Sequence, residues 1–198
     1  SVVGEECGGK FDRHSETPTW CIDPIDGTVN FANRLPFYAV SVGLVQKNNF
    51  LLGAVSAPSS KELFFNFGLE KSYLNGKKLK VNDQKLNQSL VAMSFSGSSA
   101  INKSQDFDVF QTINEQSRGV LRTGSSALNI CYVACERLQA AFGFLNKIWD
   151  IAGAVAIARA AGAEIRVEYI DNTNCKYLVA APGVFSSLNK IFVNKGLF

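Results

Sequence analysis

Two carboxylates, Asp23 and Asp26, stand either side of Pro24-Ile25 and are followed at once by Gly27 and Thr28. They lie in the stretch Trp20-Cys21-Ile22-Asp23-Pro24-Ile25-Asp26-Gly27-Thr28-Val29-Asn30-Phe31. Carboxylates hold hard cations, while exposed amides of a glycine turn hold anions. A turn that offers both suits metal-assisted chemistry on a phosphate ester. If Thr28 opens a helix, the N–H groups of Gly27 and Thr28 also carry the positive end of its dipole, which favours phosphate.

These residues need a frame. The apolar run before Asp23 reads as a buried strand, and Pro24 biases Asp23 toward extended backbone. Asp23 is therefore expected at the last strand position, with Asp26 in the turn beyond. Two further acids stand at element ends: Glu5 after a short strand at residues 1–3, and Asp150 just ahead of an alanine-rich helix that stops at Gly162. Helix starts favour carboxylates, so Asp150 also reads as a cap, and Glu5 as a solvated strand end. Asp23 is harder to explain away, because its neighbours are apolar and no Lys or Arg is adjacent.

Along the chain, residues 7–19 read as a loop. Residues 38–46 and 50–57 form a hairpin around Lys47-Asn48-Asn49, 62–67 a strand, and 71–81 a hairpin on Asn75-Gly76. Residues 90–95 are a strand before a Ser/Gly-rich loop. Phe107, Phe110 and Ile113 recur at helical spacing behind Asp106 as cap. A strand at 120–123 leads to the turn Gly124-Ser125-Ser126 and a helix with Leu128, Cys131, Tyr132 and Cys135 on its inner face. Strands at 138–145, 163–169 and 176–181 and a final helix carrying Val184, Leu188, Ile191 and Phe192 complete the series. The irregular alternation predicts an α/β (α+β) layered fold with mixed and antiparallel sheets.

Composition narrows the function. The 198 residues are 46% hydrophobic and 19% charged, with a net charge of +3, too small to argue for a nucleic-acid polymer or a membrane as partner. Lys77, Lys78 and Lys80 read as a solvated hairpin end. Five cysteines at irregular spacing, Cys7, Cys21, Cys131, Cys135 and Cys175, predict free thiols in a reducing, cytoplasmic setting. His14 is the one histidine and belongs on a loop surface, so a zinc or histidine-triad site lacks its ligands.

Gly4-Glu5-Glu6, the stretch from Trp20 to Phe31, and Trp149-Asp150-Ile151-Ala152-Gly153 resemble, in order and spacing, the three motifs of the inositol monophosphatase family. This group belongs to the lithium-sensitive, Mg²⁺-dependent phosphatases. The resemblance implies a homodimer that hydrolyses a small phosphorylated substrate with two or three Mg²⁺ ions, for which Mn²⁺ can substitute. It implies that Glu5, Asp23 and the Ile25 carbonyl hold one ion and that Asp23, Asp26 and Asp150 hold another. Glu5 and Thr28 would orient the attacking water. Gly27 and Thr28 would hold the phosphate, and Gly124, Ser125 and Ser126 would line the substrate side. The whole of 1–198 would form one catalytic unit, with a metal-binding sheet half at 1–120 and an α/β half at 121–198.

Two departures qualify this. Gly143 stands where inositol-specific members carry an acid, seven positions before Asp150, which argues against inositol 1-phosphate as preferred substrate. No counterpart of the family's N-terminal helical segment precedes Gly4, so apolar sheet surface is expected to be exposed and a third ion to lose support. Fructose 1,6-bisphosphate and 3′-phosphonucleotides remain alternative substrates, and a catalytically silent binding or assembly protein remains an alternative role.

Overall fold

The computed structural model describes residues 1–6, 8–96 and 100–198. Cys7 and part of the Ser/Gly-rich loop, residues 97–99, lie outside them. Seven strands form the first sheet in chain order: β1 (Val2–Gly4), β2 (Thr19–Asp26), β3 (Ala39–Gln46), β4 (Asn49–Ala57), β5 (Glu62–Asn66), β6 (Ser72–Leu74) and β7 (Lys77–Lys78). Only β1 and β2 pair parallel; the remaining pairs are antiparallel, and of these β3–β4 and β6–β7 are joined by the turns foreseen at Lys47-Asn48-Asn49 and Asn75-Gly76. The second sheet contains β8 (Leu90–Ser94), β9 (Gly119–Leu121), β10 (Ala140–Lys147), β11 (Glu164–Tyr169) and β12 (Asn174–Ala180), ordered β11-β12-β10-β8-β9 and mixed in direction. The sheets divide between β7 and β8, ahead of residue 120.

The helices fill the layers. α1 (Thr28–Ala32) is a short turn after β2. α3 (Ser126–Ala134) and α4 (Ile148–Ala160) lie between the two sheets, and their residues are buried almost all round. That suits their composition, since a helix covered on both sides has no polar face to show. α2 (Ala100–Gln116) and α5 (Pro182–Asn194) cover the far side of the second sheet, where Val109, Ile113, Val184, Leu188 and Phe192 pack with Met93, Phe142 and Leu178. The order sheet, helices, sheet, helices is the expected layered α/β fold. On the other face of the first sheet Trp20, Val40 and Leu63 are exposed.

Three element ends differ from the sequence expectation. β2 does not stop at Asp23 but runs to Asp26. Asp23 pairs with Ser41 and Asp26 with Ala39, so one extra residue is absorbed by a bulge that tolerates Pro24. α2 begins at Ala100, which places Asp106 inside the helix; its buried carboxylate accepts the Ser96 N–H at 2.7 Å instead of capping. Asp150 lies within the first turn of α4, not ahead of it, and accepts the Lys147 N–H at 2.9 Å. His14 is exposed, as are Lys77, Lys78 and Lys80, and Cys21, Cys131, Cys135 and Cys175 are free thiols, all as expected.

What brings Asp150 to β2 is a contact of glycines. Gly43 and Gly53 are cross-strand partners on β3 and β4, and Gly153 of α4 lies directly over them. A Cβ on Gly53 would fall 1.9 Å from the Gly153 carbonyl oxygen, and one on Gly43 would fall 2.4 Å from the Gly153 nitrogen. The helix thus rests on the sheet backbone to backbone. Asp150, one turn earlier on the same face, is lowered toward the end of β2. Gly53→Ala should lower stability by about 1–3 kcal/mol, the ordinary cost of overpacking a filled core. Urea denaturation would show it as a lower midpoint with an unchanged slope.

Candidate active site

Glu5, Asp23, Asp26 and Asp150, separated by up to 145 positions in the chain, line one cavity of about 330 Å³ with Ile25, Gly27, Thr28, Gly124 and Ser126. Each acid is placed by a different device. Glu5 follows β1 and stands at the exposed rim. Asp23 is buried in the β2 bulge, where one oxygen accepts the Ile25 N–H at 2.9 Å. Asp26, also buried, sits on the start of α3: it accepts the Ser125 hydroxyl, the Ser126 N–H at 3.2 Å and the Ala127 N–H at 3.0 Å. A carboxylate at a helix N-terminus is favoured by both the free N–H groups and the dipole. Asp26 therefore ties the end of the first sheet to the helix leading into the second.

These acids feel one another. Burial pushes Asp26 up to about 7; the Ser125 hydrogen bond opposes this, and the Asp23 charge adds to it. Burial likewise pushes Asp23 up to about 6, against the pull of the Ile25 N–H and with a push from Glu5. Asp150 is held well above the usual carboxylate range by burial, then by the charges of Asp26, Asp23 and Glu5. Among the described residues none of the four is ion-paired with Lys or Arg. Nor, among the described residues, do three of them close on one point as a finished cation cage would. They are donors facing a shared space, and Arg122, which also lines it, is paired with none of them.

The turn after Asp26 completes that space. Gly27 takes φ +92°, and a Cβ there would press on the Phe37 carbonyl at 3.1 Å. The Thr28 hydroxyl donates to the Ile25 carbonyl at 2.9 Å. Thr28 does open a helix, but α1 spans only five residues, so its dipole is slight. Gly124 and Ser126 line the cavity. Ser125 does not: it is buried, and its hydroxyl is used up on Asp26 and on the Leu128 N–H, the N-cap bond of α3.

Two features escaped the sequence. The Asn30 side chain donates to the carbonyls of Phe37 at 2.7 Å and Thr123 at 2.8 Å, joining the two loops that flank the cavity. Its place in the central motif was visible, but its role was not. The second is a polar floor built from Ser94, Ser126, Asn146 and Tyr177, linked across as many as 83 positions. No local pattern marks it. At Gly143 a Cβ would fall 2.3 Å from Asn146 Oδ1, so the missing acid leaves room for the Asn146 amide.

The profile of the inositol monophosphatase family matches residues 1–189. The chain belongs to this family. Among individual proteins it is similar to the Fructose-1,6-bisphosphatase/inositol-1-monophosphatase of Aquifex aeolicus, with 34% identity over 162 residues, covering 81% of this chain and 61% of that protein. It is also similar to the Nus factor SuhB of Haemophilus influenzae, at 32% identity, 96% of this chain and 73% of the other. The solved structure of an inositol monophosphatase from Anabaena superimposes with a TM-score of 0.85 at 26% identity, over 98% of this chain and 78% of that one. The chain thus spans less than two thirds of the Aquifex protein, and the family fold accounts for both sheets and the helices between them.

The raised acids make a prediction about pH. Each binds its proton more tightly in the fold than in the unfolded chain, so stability without divalent cations falls as pH rises from about 4 through about 7. Glu62, held low by Arg137, and Asp171, held at about 2 by hydrogen bonds from Asn174 and Thr173, work the other way, but what they contribute is already complete by about pH 5, below most of this window. Thermal melts in a chelator should show Tm falling across this window. Millimolar Mg²⁺ should restore it at pH 8, since a ligand that binds only the folded state stabilises it.

Proposed function

We propose that this chain is a divalent-cation-dependent phosphomonoesterase acting on a small polyol or sugar phosphate. One observation carries the reading: four acids, none of them ion-paired among the described residues, share a cavity with a glycine turn. The donor set fits Mg²⁺, with Mn²⁺ as substitute, because every donor is a hard oxygen. Family members generally use Mg²⁺. Glu5, Asp23 and the Ile25 carbonyl would hold one ion, and Asp23, Asp26 and Asp150 another. Ions bound there would lower the pKa of water and offset negative charge on the phosphoryl group and the departing alkoxide.

The protein's own groups do the positioning. Ser125, Ser126 and Ala127 fix the plane of the Asp26 carboxylate. The Lys147 N–H does the same for Asp150. The Thr28 proton is committed to Ile25, so its oxygen can only accept, which orients a water by taking one of its hydrogens while Glu5 takes the other. Gly27 and Thr28 offer backbone N–H groups to the phosphate. The alcohol would lie toward Gly124 and Ser126, where no acid stands at Gly143. This leaves fructose 1,6-bisphosphate and 3′-phosphonucleotides beside inositol-type esters as substrates.

A second reading, a silent assembly protein in a homodimer or larger complex, draws on the relative named Nus factor SuhB. Calorimetry separates the two: Mg²⁺ binding without phosphate release from any ester in a panel would favour it. On the leading reading, Asp26→Asn stays folded and loses at least about 100-fold in phosphate release, on the order of the loss when a preorganised electrostatic group is removed. Wild-type rates at every Mg²⁺ concentration would refute the assignment.

A further inference from the structure

β11 is an edge of the second sheet: β12 lies on one side of it and, among the described residues, no strand lies on the other. Which of its main-chain groups face outward can be read at the turn that follows. Glu164 stands opposite Ala180 and Tyr169 opposite Cys175, and one step on the Ile170 N–H donates to the Asn174 carbonyl at 2.8 Å. In an antiparallel ladder every second pair exchanges both hydrogen bonds. Glu164, Arg166 and Glu168 therefore bond to β12, and the N–H and C=O groups of Ile165, Val167 and Tyr169 point away from it. The Ala163 N–H, next in that series, is taken by the Ala158 carbonyl of α4 at 3.0 Å. Among the described residues, no hydrogen bond from outside the sheet reaches the main chain of the other three.

A row of open main-chain groups is a template for another strand, and charged side chains ordinarily guard it. In β11 the charges are complementary to themselves. When the strand Glu164-Ile165-Arg166-Val167-Glu168-Tyr169 is laid antiparallel on a second copy, the registers centred on Arg166, Val167 and Glu168 keep most of the outward groups face to face. The first sets Arg166 against Arg166, and the last sets Glu168 against Glu168. The register centred on Val167 sets Arg166 of each copy against Glu168 of the other. A register centred on Ile165 would also oppose unlike charges, but it needs the Ala163 N–H that α4 has taken. In the Val167 register the charged pairs are the non-hydrogen-bonded ones, where facing residues come closest, about 4.5 Å between Cα atoms. Glu168 keeps 42% of its side chain exposed, and among the described residues its one cationic partner is Arg166 of its own strand. On the opposite face of the strand, Ile165 and Val167 are half-buried and line an open groove of about 340 Å³ with Phe50 and Arg159. A second copy paired in this way presents its own Ile165 and Val167 on that same face, over the groove. We propose that β11 pairs with β11 of a second copy of this chain, antiparallel and centred on Val167, so that the two second sheets become one. β8 and the residues after β9, at the far end of the sheet, border the acidic cavity, so the pairing leaves the cavity open and does not rest on the phosphomonoesterase reading.

Sedimentation of the whole chain tests the pairing. Wild type should pass reversibly from monomer to dimer as its concentration rises to about 100 μM, a range that registers micromolar association. Arg166→Glu and Glu168→Arg should each weaken the dimer at least about tenfold, because each sets like charges opposite one another. Mixed in equal amounts, the two variants should regain the dimer, since each supplies the charge that the other lacks. Glu164→Arg, which has no charged residue opposite it in this register, should associate like wild type. Hydrogen exchange on the wild type needs no variant to fold: the Ile165, Val167 and Tyr169 amides should slow as concentration rises, while those of Arg166 and Glu168, already bonded to β12, stay as they were. A wild type that remains monomeric overturns the proposal, as does a mixture of the two charge variants that fails to associate. So does a dimer that survives both single substitutions or leaves the three outward amides unprotected, because it would use another face.

Discussion

The site depends on a close approach that almost any side chain would forbid. α4 touches the first sheet through Gly43, Gly53 and Gly153, main chain against main chain. Because the helix sits this deep, its first turn reaches the level of the β2 bulge, and Asp150 faces the same space as Asp23 and Asp26. Larger residues at these positions would lift the helix and carry Asp150 away. Packing of the core and assembly of the acidic cluster are one event.

Bringing those acids together works against the fold. Asp23, Asp26 and Asp150 lose hydration, and neighbouring charge adds to the rise of each: Glu5 for Asp23, Asp23 for Asp26, and Asp26, Asp23 and Glu5 for Asp150. Part of the cost is offset locally by backbone N–H groups at the start of α3, at the Ile25 nitrogen and at the start of α4. The same hydrogen bonds hold the carboxylates in fixed planes. Helix starts serve twice here, as anchors of negative charge and as rulers for where it stands. The two readings of Asp150 left open by the sequence, cap and site residue, are thus compatible: it accepts a backbone N–H and still faces the cavity.

Much of this was legible because it is local. Adjacent carboxylates around Pro24, turn residues at Lys47-Asn48-Asn49 and Asn75-Gly76, and an alanine-rich run ahead of Gly162 each report on their own neighbourhood. The layered fold followed from their order. Other features depend on partners far off in the chain. Gly43, Gly53 and Gly153 look like ordinary glycines until the register of β3 with β4 places them under α4. The extension of β2 through Pro24 depends on a bulge that only the pairing with β3 reveals. Asp106 looks like a cap because helical spacing becomes visible only after it, whereas its real partner is Ser96. Ser125 passed for a substrate contact because a hydroxyl in a turn carries no mark of which way it faces.

The strap made by Asn30 has a mechanical consequence. One amide group grips the Phe37 and Thr123 carbonyls together, so the two walls of the cavity are coupled like the jaws of a clamp with a single pin. Either wall must break its own hydrogen bond to Asn30 before it can swing aside. The spacing of the two loops is thereby set by a residue of the central motif whose side chain also borders the cavity.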